Sequence, residues 1–223
     1  MKTLHGLPLR HSISTLLTIV LILLLIGCAS PRKYTVHLKP HPEGAQGPST
    51  SSVVGVLPFE DARPSKETVG KRVHSDGTEK PIFLDSPSPS EDVTYILRRG
   101  LVARNVRVVE LSSWKPDPKH LKDLPEEINI AIAGRIEALE VEAKSSLLKT
   151  TVKYRVRVSA RVGLKEQGTV VSQAVEIRPE ETFTSFDLEK IEEQLNAALA
   201  QALNRLLESI FSQSLEAQST GRG

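Results

Sequence analysis

The chain has one cysteine, Cys28, one tryptophan, Trp114, and one methionine, and aromatics make up 4% of its 223 residues. A single thiol forms no disulfide within the chain and no multi-cysteine metal site. The fold must therefore stand on an aliphatic core without covalent staples. An excess of one charge is also missing. Lys and Arg number 29 against 27 Asp and Glu, a balance that gives no global attraction to nucleic acid. No apolar run reaches the about 20 residues a membrane-spanning helix takes. The longest, Ile13 to Ile26, is shorter and is broken by Ser14, Thr15 and Thr18. Four histidines follow Cys28, namely His37, His41, His74 and His120. They form no ligand pair on a helix, and His37 and His41 stand in a proline-rich stretch, so no metal is expected. Nucleophile elbow, phosphate loop and H-E-x-x-H are absent too. With 27 acids some carboxylate pair can always be picked, and nothing distinguishes one; Glu180 and Glu181 read as loop acids. The expectation is a protein that is not an enzyme and holds no cofactor.

What is present begins with the first residues. Lys2, Arg10, His5 and His11 form a cationic leader, the apolar run follows, and Leu25-Ile26-Gly27-Cys28 closes it. This layout is that of a signal peptide, and its last four residues resemble a bacterial lipobox. The resemblance implies removal of residues 1–27 and lipidation of Cys28, with a thioether-linked diacylglycerol and an amide-linked chain such as palmitate. Two or more acyl chains give stable anchoring where one does not. Ala29 stands where an aspartate would favour inner-membrane retention, so an outer-membrane lipoprotein facing the periplasm is expected. The leader holds Lys2 and Arg10 and no acid, so the mature chain is formally neutral.

Residues 28–52 are rich in proline, glycine and serine and read as a flexible tether. Within it Tyr34, Val36 and Leu38 alternate as a short edge strand does. The folded domain is expected over 53–211, with a disordered tail over 212–223. Val53 to Phe59 reads as a buried strand ending at Pro58. Glu60 to Pro89 is a long loop, in which Asp76-Gly77 marks a hairpin turn between weak strands at Val69–Val73 and Pro81–Leu84. Ser90 is the expected cap of a helix carrying Val93, Ile96, Leu97 and Leu101 on one side and ending at Asn105. Val106 to Glu110 reads as a strand, and Leu111 to Glu127 as a polar connection holding Trp114. Ile128, Ile130, Ile132, Gly134 and Ile136 alternate, then the phase slips, which predicts a β-bulge near Ala138. From Val152 to Leu164 the alternation is clean, and Thr169 to Ile177 returns after a turn at Lys165–Gly168. Thr184 or Ser185 is the expected cap of a long helix whose apolar stripe runs from Leu188 to Ile210. The fold class expected is α+β, a single sheet of about four to five strands with two helices on one face, in the order β-α-β-β-β-α.

The lipobox, the Asp61-Ala62-Arg63 turn, Gly70, the helix ending Gly-Leu-Val-Ala-Arg-Asn-Val and the charged hairpin Tyr154–Ile177 together resemble the YajG-type lipoproteins of the bacterial envelope. That resemblance implies fold and compartment and no enzymatic activity. Two sets of candidate binding residues stand out. Lys153, Arg155, Arg157 and Arg161 fall on one face of a strand, open to an anionic lipid or an acidic envelope protein, or else neutralised by Glu137, Glu140 or Glu176. Asp61 and Arg63 leave one turn together, either as local turn chemistry or as a partner-binding loop. The expected function is a non-enzymatic, membrane-anchored binding or scaffolding module. An accessory lipoprotein of a lipid or lipopolysaccharide transport machine is the alternative. A cell-wall hydrolase is the third reading, disfavoured by the missing catalytic groups.

Overall fold

The computed structural model describes residues 33–39 and 52–220, with side chains placed as far as Gln213. The leader, Cys28 and residues 40–51 of the expected tether lie outside the described residues. In chain order the elements are β1 (Tyr34–Val36), β2 (Val53–Val56), β3 (Glu60–Asp61), β4 (Thr68–Val73), β5 (Glu79–Leu84), α1 (Pro89–Val102), β6 (Arg107–Glu110), a 3-10 helix (Pro118–Asp123), β7 (Ile130–Ser145), β8 (Thr150–Leu164), β9 (Thr169–Ile177), β10 (Glu180–Phe183) and α2 (Leu188–Thr220).

A long antiparallel hairpin is the spine. β7 has 16 residues, about 50 Å at about 3.3 Å per residue, and pairs with β8 from Ile130↔Leu164 to Ser145↔Thr150. Three short strands line up parallel along the other edge of β7: β2 at Ile130–Ile132, β3 at Arg135–Ile136 and β4 at Val141–Lys144. β6 extends the sheet beyond β2, and β5 then β1 extend it beyond β4. β9 and β10 share the far edge of β8. The result is one curled sheet of ten strands.

This corrects the expected sheet of four to five strands. The five extra elements are β1, β3, β4, β5 and β10. They have two to six residues each and borrow their order from the long hairpin rather than from their own alternation. The predicted bulge is present, with the register shifting between Ile136 and Ala138. It keeps Leu139, Val141 and Ala143 on the same buried face as Ile132 and Ile136.

Both helices cover one face, over a core of Val, Ile and Leu with Phe59, Tyr154 and Phe211. The cap of α1 is Ser88, two residues before the expected Ser90, because Pro89 suits the first helical position. Asn105 closes that helix with φ 57, a left-handed conformation that asparagine tolerates. The cap of α2 is Asp187 rather than Thr184 or Ser185. Its Oδ1 accepts the backbone N–H groups of Glu189 at 3.1 Å and Lys190 at 3.2 Å. α2 continues to Thr220, past the expected end at Phe211.

β1 sits at the sheet edge, and the chain that continues from it is held by α2. Asn196 accepts from the Lys39 N–H at 2.7 Å and donates to the His37 carbonyl at 2.9 Å, and Glu192 accepts from the His37 N–H at 2.9 Å. Two polar side chains of α2 thus act as the missing neighbour strand. Residues 34–39 therefore belong to the domain, within the stretch expected as tether.

Candidate functional site

The Asp61–Arg63 turn lies where the parallel ladder along β7 breaks. β3 releases β7 after Ile136 and β4 takes it up at Val141, which leaves the bulge without a strand on that side. Arg63 fills the gap. Its Nε and Nη2 donate to the two carboxylate oxygens of Asp61 at 3.0 and 2.9 Å, and Nη2 also donates to the Lys66 carbonyl at 3.1 Å. The Arg63 side chain is 2% exposed and Asp61 14%. Burial pushes the Asp61 carboxyl up, but the hydrogen bonds and charge of Arg63, with Lys66 behind, outweigh it and leave the pKa below its ordinary value. A cavity of about 170 Å³ borders Arg63, Val69, Ala138 and Leu139. Nη1 of Arg63 is buried with no partner among the described residues.

Gly70 makes the return of β4 possible. A Cβ there would stand 1.7 Å from the Val141 carbonyl oxygen, and its φ is 154. Only glycine brings the two backbones that close.

The basic row is on one face, as the alternation requires, and it is interleaved with acids. Arg155 pairs with Glu176 at 2.5 Å and Glu140 at 3.3 Å. Arg157 pairs with Glu137 and, at 3.5 Å, with Glu176. Lys153 reaches Glu180 at 3.6 Å. Arg161 has no ion pair among the described residues. The bulge places Glu137 where it accepts from both Ser159 and Arg157. The Ser159 bond first, then Arg157, hold its carboxyl below the usual range. Glu176 is lowered as well, by Arg155 first and Arg178 next. A row of alternating charge presents local hydrogen-bonding groups but little net positive field.

At the opposite end of the spine the same face is covered and apolar. Val109, Gly55, Ala131, Gly163 and Val170 lie in one row across β6, β2, β7, β8 and β9. The three small residues in its centre leave a shallow bed. Into it the connection after β6 lays Leu111, Trp114 and Leu121; a Cβ at Gly163 would meet the Trp114 ring at 2.7 Å. Beside Trp114 opens a cleft of about 660 Å³, walled by Leu57, Pro116, Leu124 and Pro125 with His120 and Asp123 at its rim. His120 Nδ1 and Asp123 are 2.8 Å apart. Lys165 stiffens the far wall by donating to the Pro125 carbonyl at 2.8 Å. Nε1 of Trp114 is buried without a partner among the described residues. A mostly apolar cleft of this size with an aromatic wall fits a small ligand or peptide segment. Sequence reading found Trp114 but not the cleft. The signal was the pair Gly55 and Gly163 inside strands, where a missing side chain marks a close approach.

Among the described residues no group of three His, Cys, Asp or Glu side chains stands where it could hold a metal ion. No helix among them is long and apolar enough to cross a membrane.

No family model matches the chain, and no curated protein matches it. Solved structures do. A Xanthomonas campestris protein described under the family DUF330 is similar over 86% of this chain and 100% of its own, at 14% identity and TM-score 0.47. The lipoprotein GNA1162 of Neisseria meningitidis is similar over 69% of this chain and 99% of its own, at 11% identity and TM-score 0.34. A minor lipoprotein of Acinetobacter baumannii is similar over 73% of this chain and 91% of its own, at 13% identity and TM-score 0.33. The structures this chain resembles thus include bacterial lipoproteins, at a likeness too loose to carry function.

Proposed function

We propose that the chain is a lipoprotein of the bacterial envelope, anchored through acyl chains on Cys28, whose domain is a non-enzymatic binding module facing the periplasm. Leu25-Ile26-Gly27-Cys28 after a cationic leader and a short apolar run carries this reading. The YajG-type resemblance and the outer-membrane location, taken from Ala29, belong to the same proposal. The Trp114 cleft is the binding site on this reading. It is a concave, mostly apolar surface of about 660 Å³ with the Trp114 ring in its wall. The basic row is the weaker candidate, because its arginines Arg155 and Arg157 are already paired.

Mass analysis of the N-terminal peptide from cells expressing the full chain tests the anchor. The expected result is a peptide beginning at Cys28 and carrying acyl chains, with the protein in the membrane fraction. Cys28→Ser should abolish both. An N-terminus upstream of Cys28, or an unmodified thiol, sinks the reading. Occupancy of the cleft is read by Trp114, the only tryptophan. Envelope components that bind there should shift its emission, and Leu57→Arg should remove the response.

A further inference from the structure

The tip of the β7–β8 hairpin is built from residues that a turn in water does not use. Ser146 N–H donates to the Lys149 carbonyl at 2.7 Å and closes the tip, with Leu147 and Leu148 between them. Leu147 is 94% exposed and Leu148 85%. Hairpin tips favour Gly, Asn and Asp, because the tight turns that match strand twist need positive φ. Here neither leucine has positive φ, so backbone geometry does not explain them. Two adjacent leucines standing off the end of the longest hairpin, next to Lys149, leave apolar surface in water that no described residue covers.

The same end of the domain is where the chain arrives from Cys28. β4 runs beside β7 toward the tip, β5 runs away from it, and β1 runs parallel to β5. Tyr34, the first residue of β1, is therefore on the tip side. Arg72 ties the two points together. Its Nε donates to Ser145 at 3.2 Å, its Nη1 donates to the Tyr34 hydroxyl at 2.8 Å, and its guanidinium lies 4.0 Å over the Phe186 ring. Cys28 is six positions ahead of Tyr34. A chain spans at most about 3.3–3.6 Å per residue, so Cys28 cannot be more than about 21 Å from Tyr34. A bilayer holding Cys28 is within reach of the hairpin tip.

We infer that Leu147 and Leu148 enter the hydrocarbon of the bilayer that holds Cys28, as a second membrane contact. It rests on the proposed lipidation of Cys28. Together the two contacts orient the domain, with the tip down and the Trp114 cleft, which lies at the Leu164 end of the hairpin, turned away from the lipid. The leucines supply the burial, and Lys149 stays at the level of the head groups, its stem along the interface.

The test uses the full mature protein, with its acyl chains, in phosphatidylethanolamine–phosphatidylglycerol vesicles. Leu147→Trp adds a tryptophan at an exposed position where folding is not at stake. Its emission should shift to the blue and be quenched by lipids brominated on their acyl chains. Trp114 in the unsubstituted protein should stay unquenched in the same vesicles. Absence of quenching at position 147 with acylated Cys28 confirmed by mass overturns the inference. A blue shift that ignores the brominated lipids and grows with protein density also overturns it, since the leucines would then cover a second copy. If mass shows Cys28 unmodified, the lipoprotein reading fails separately. The Cys28 thiol is then coupled to a maleimide lipid in the same vesicles. Quenching at 147 in that arm upholds the tip contact, and its absence removes it.

Discussion

Arg63 is the residue on which the middle of the sheet edge turns. Its side chain is 2% exposed and holds a full charge that water cannot reach. Removing only one partner of such a pair leaves the other uncompensated, at a cost of about 3–5 kcal/mol. Asp61→Ala strands the buried guanidinium and should cost about 3 kcal/mol in urea denaturation. Arg63→Met removes the charge itself and fills the gap with an adaptable side chain. Asp61 would still reach some water, so this change should cost less than half as much. Equal losses would show that the pair is not what stabilises the turn. Gly70→Ala should be worse than either, because the added carbon meets a backbone oxygen that has no alternative position. The expected outcome is loss of the cooperative transition at room temperature, read by circular dichroism. At this scale the sequence was informative: Asp61, Arg63 and Gly70 all stood out before any fold was known. That Arg63 is buried did not, because burial of a loop arginine depends on a gap between strands that are far apart in sequence.

Elements tell a second story, of order lent by one hairpin. β7, β8 and β9 were legible because each alternates long enough to show period two, and the phase slip near Ala138 showed the bulge. β1 and the β4–β5 hairpin were visible only as weak alternation, and β3 and β10 not as strands at all. Two residues such as Glu60 and Asp61 have no period. They are strand because β7 offers a row of backbone groups beside them. The Trp114 bed was hidden for a related reason: it is a row across five strands, and no stretch of sequence contains it. β1 depends on α2 in the same way. Asn196 satisfies two backbone groups of the segment that follows it, the His37 carbonyl and the Lys39 N–H, and is 4% exposed. Asn196→Ala should unpin this segment at a cost of about 1 kcal/mol, the net worth of hydrogen bonds whose backbone partners can turn to water. Amide exchange would speed up at His37 and Lys39 more than at the β7–β8 centre. Uniform acceleration across the sheet would mean that β1 is held by packing alone. Glu192→Gln keeps an acceptor for the His37 N–H and should leave exchange there nearly unchanged.

For the whole molecule the balance of charge matters more than its sum. Beyond Asp76 and Asp117, each lowered by a backbone N–H two residues on within its own turn, the acids whose titration is displaced lie in three places: Asp61 in the β7 gap, Glu137 and Glu176 on the outer sheet face, and Glu192 beneath β1. Burial pushes Glu192 up, but Lys39 and the His37 N–H outweigh it, and its pKa is lowered like the others. All four are therefore lowered on folding. A carboxylate with a depressed folded pKa stabilises the fold above its unfolded value of about 4 and loses that contribution as pH falls through the folded value. Thermal stability should be nearly level from pH 7 to about pH 5 and should fall steeply below about pH 4. Salt separates the contributions. At about 1 M the Debye length is near 3 Å, so the exposed Glu137 and Glu176 pairs should lose most of their effect. The Asp61 bond lies behind a side chain that is almost wholly buried and should keep it. Melting scans from pH 7 to 2.5 at low and high salt should show a shallower acid limb at high salt, with a residue that Asp61→Asn removes. A melting temperature that stays level down to pH 3 would mean that these pairs do no more than neutralise one another.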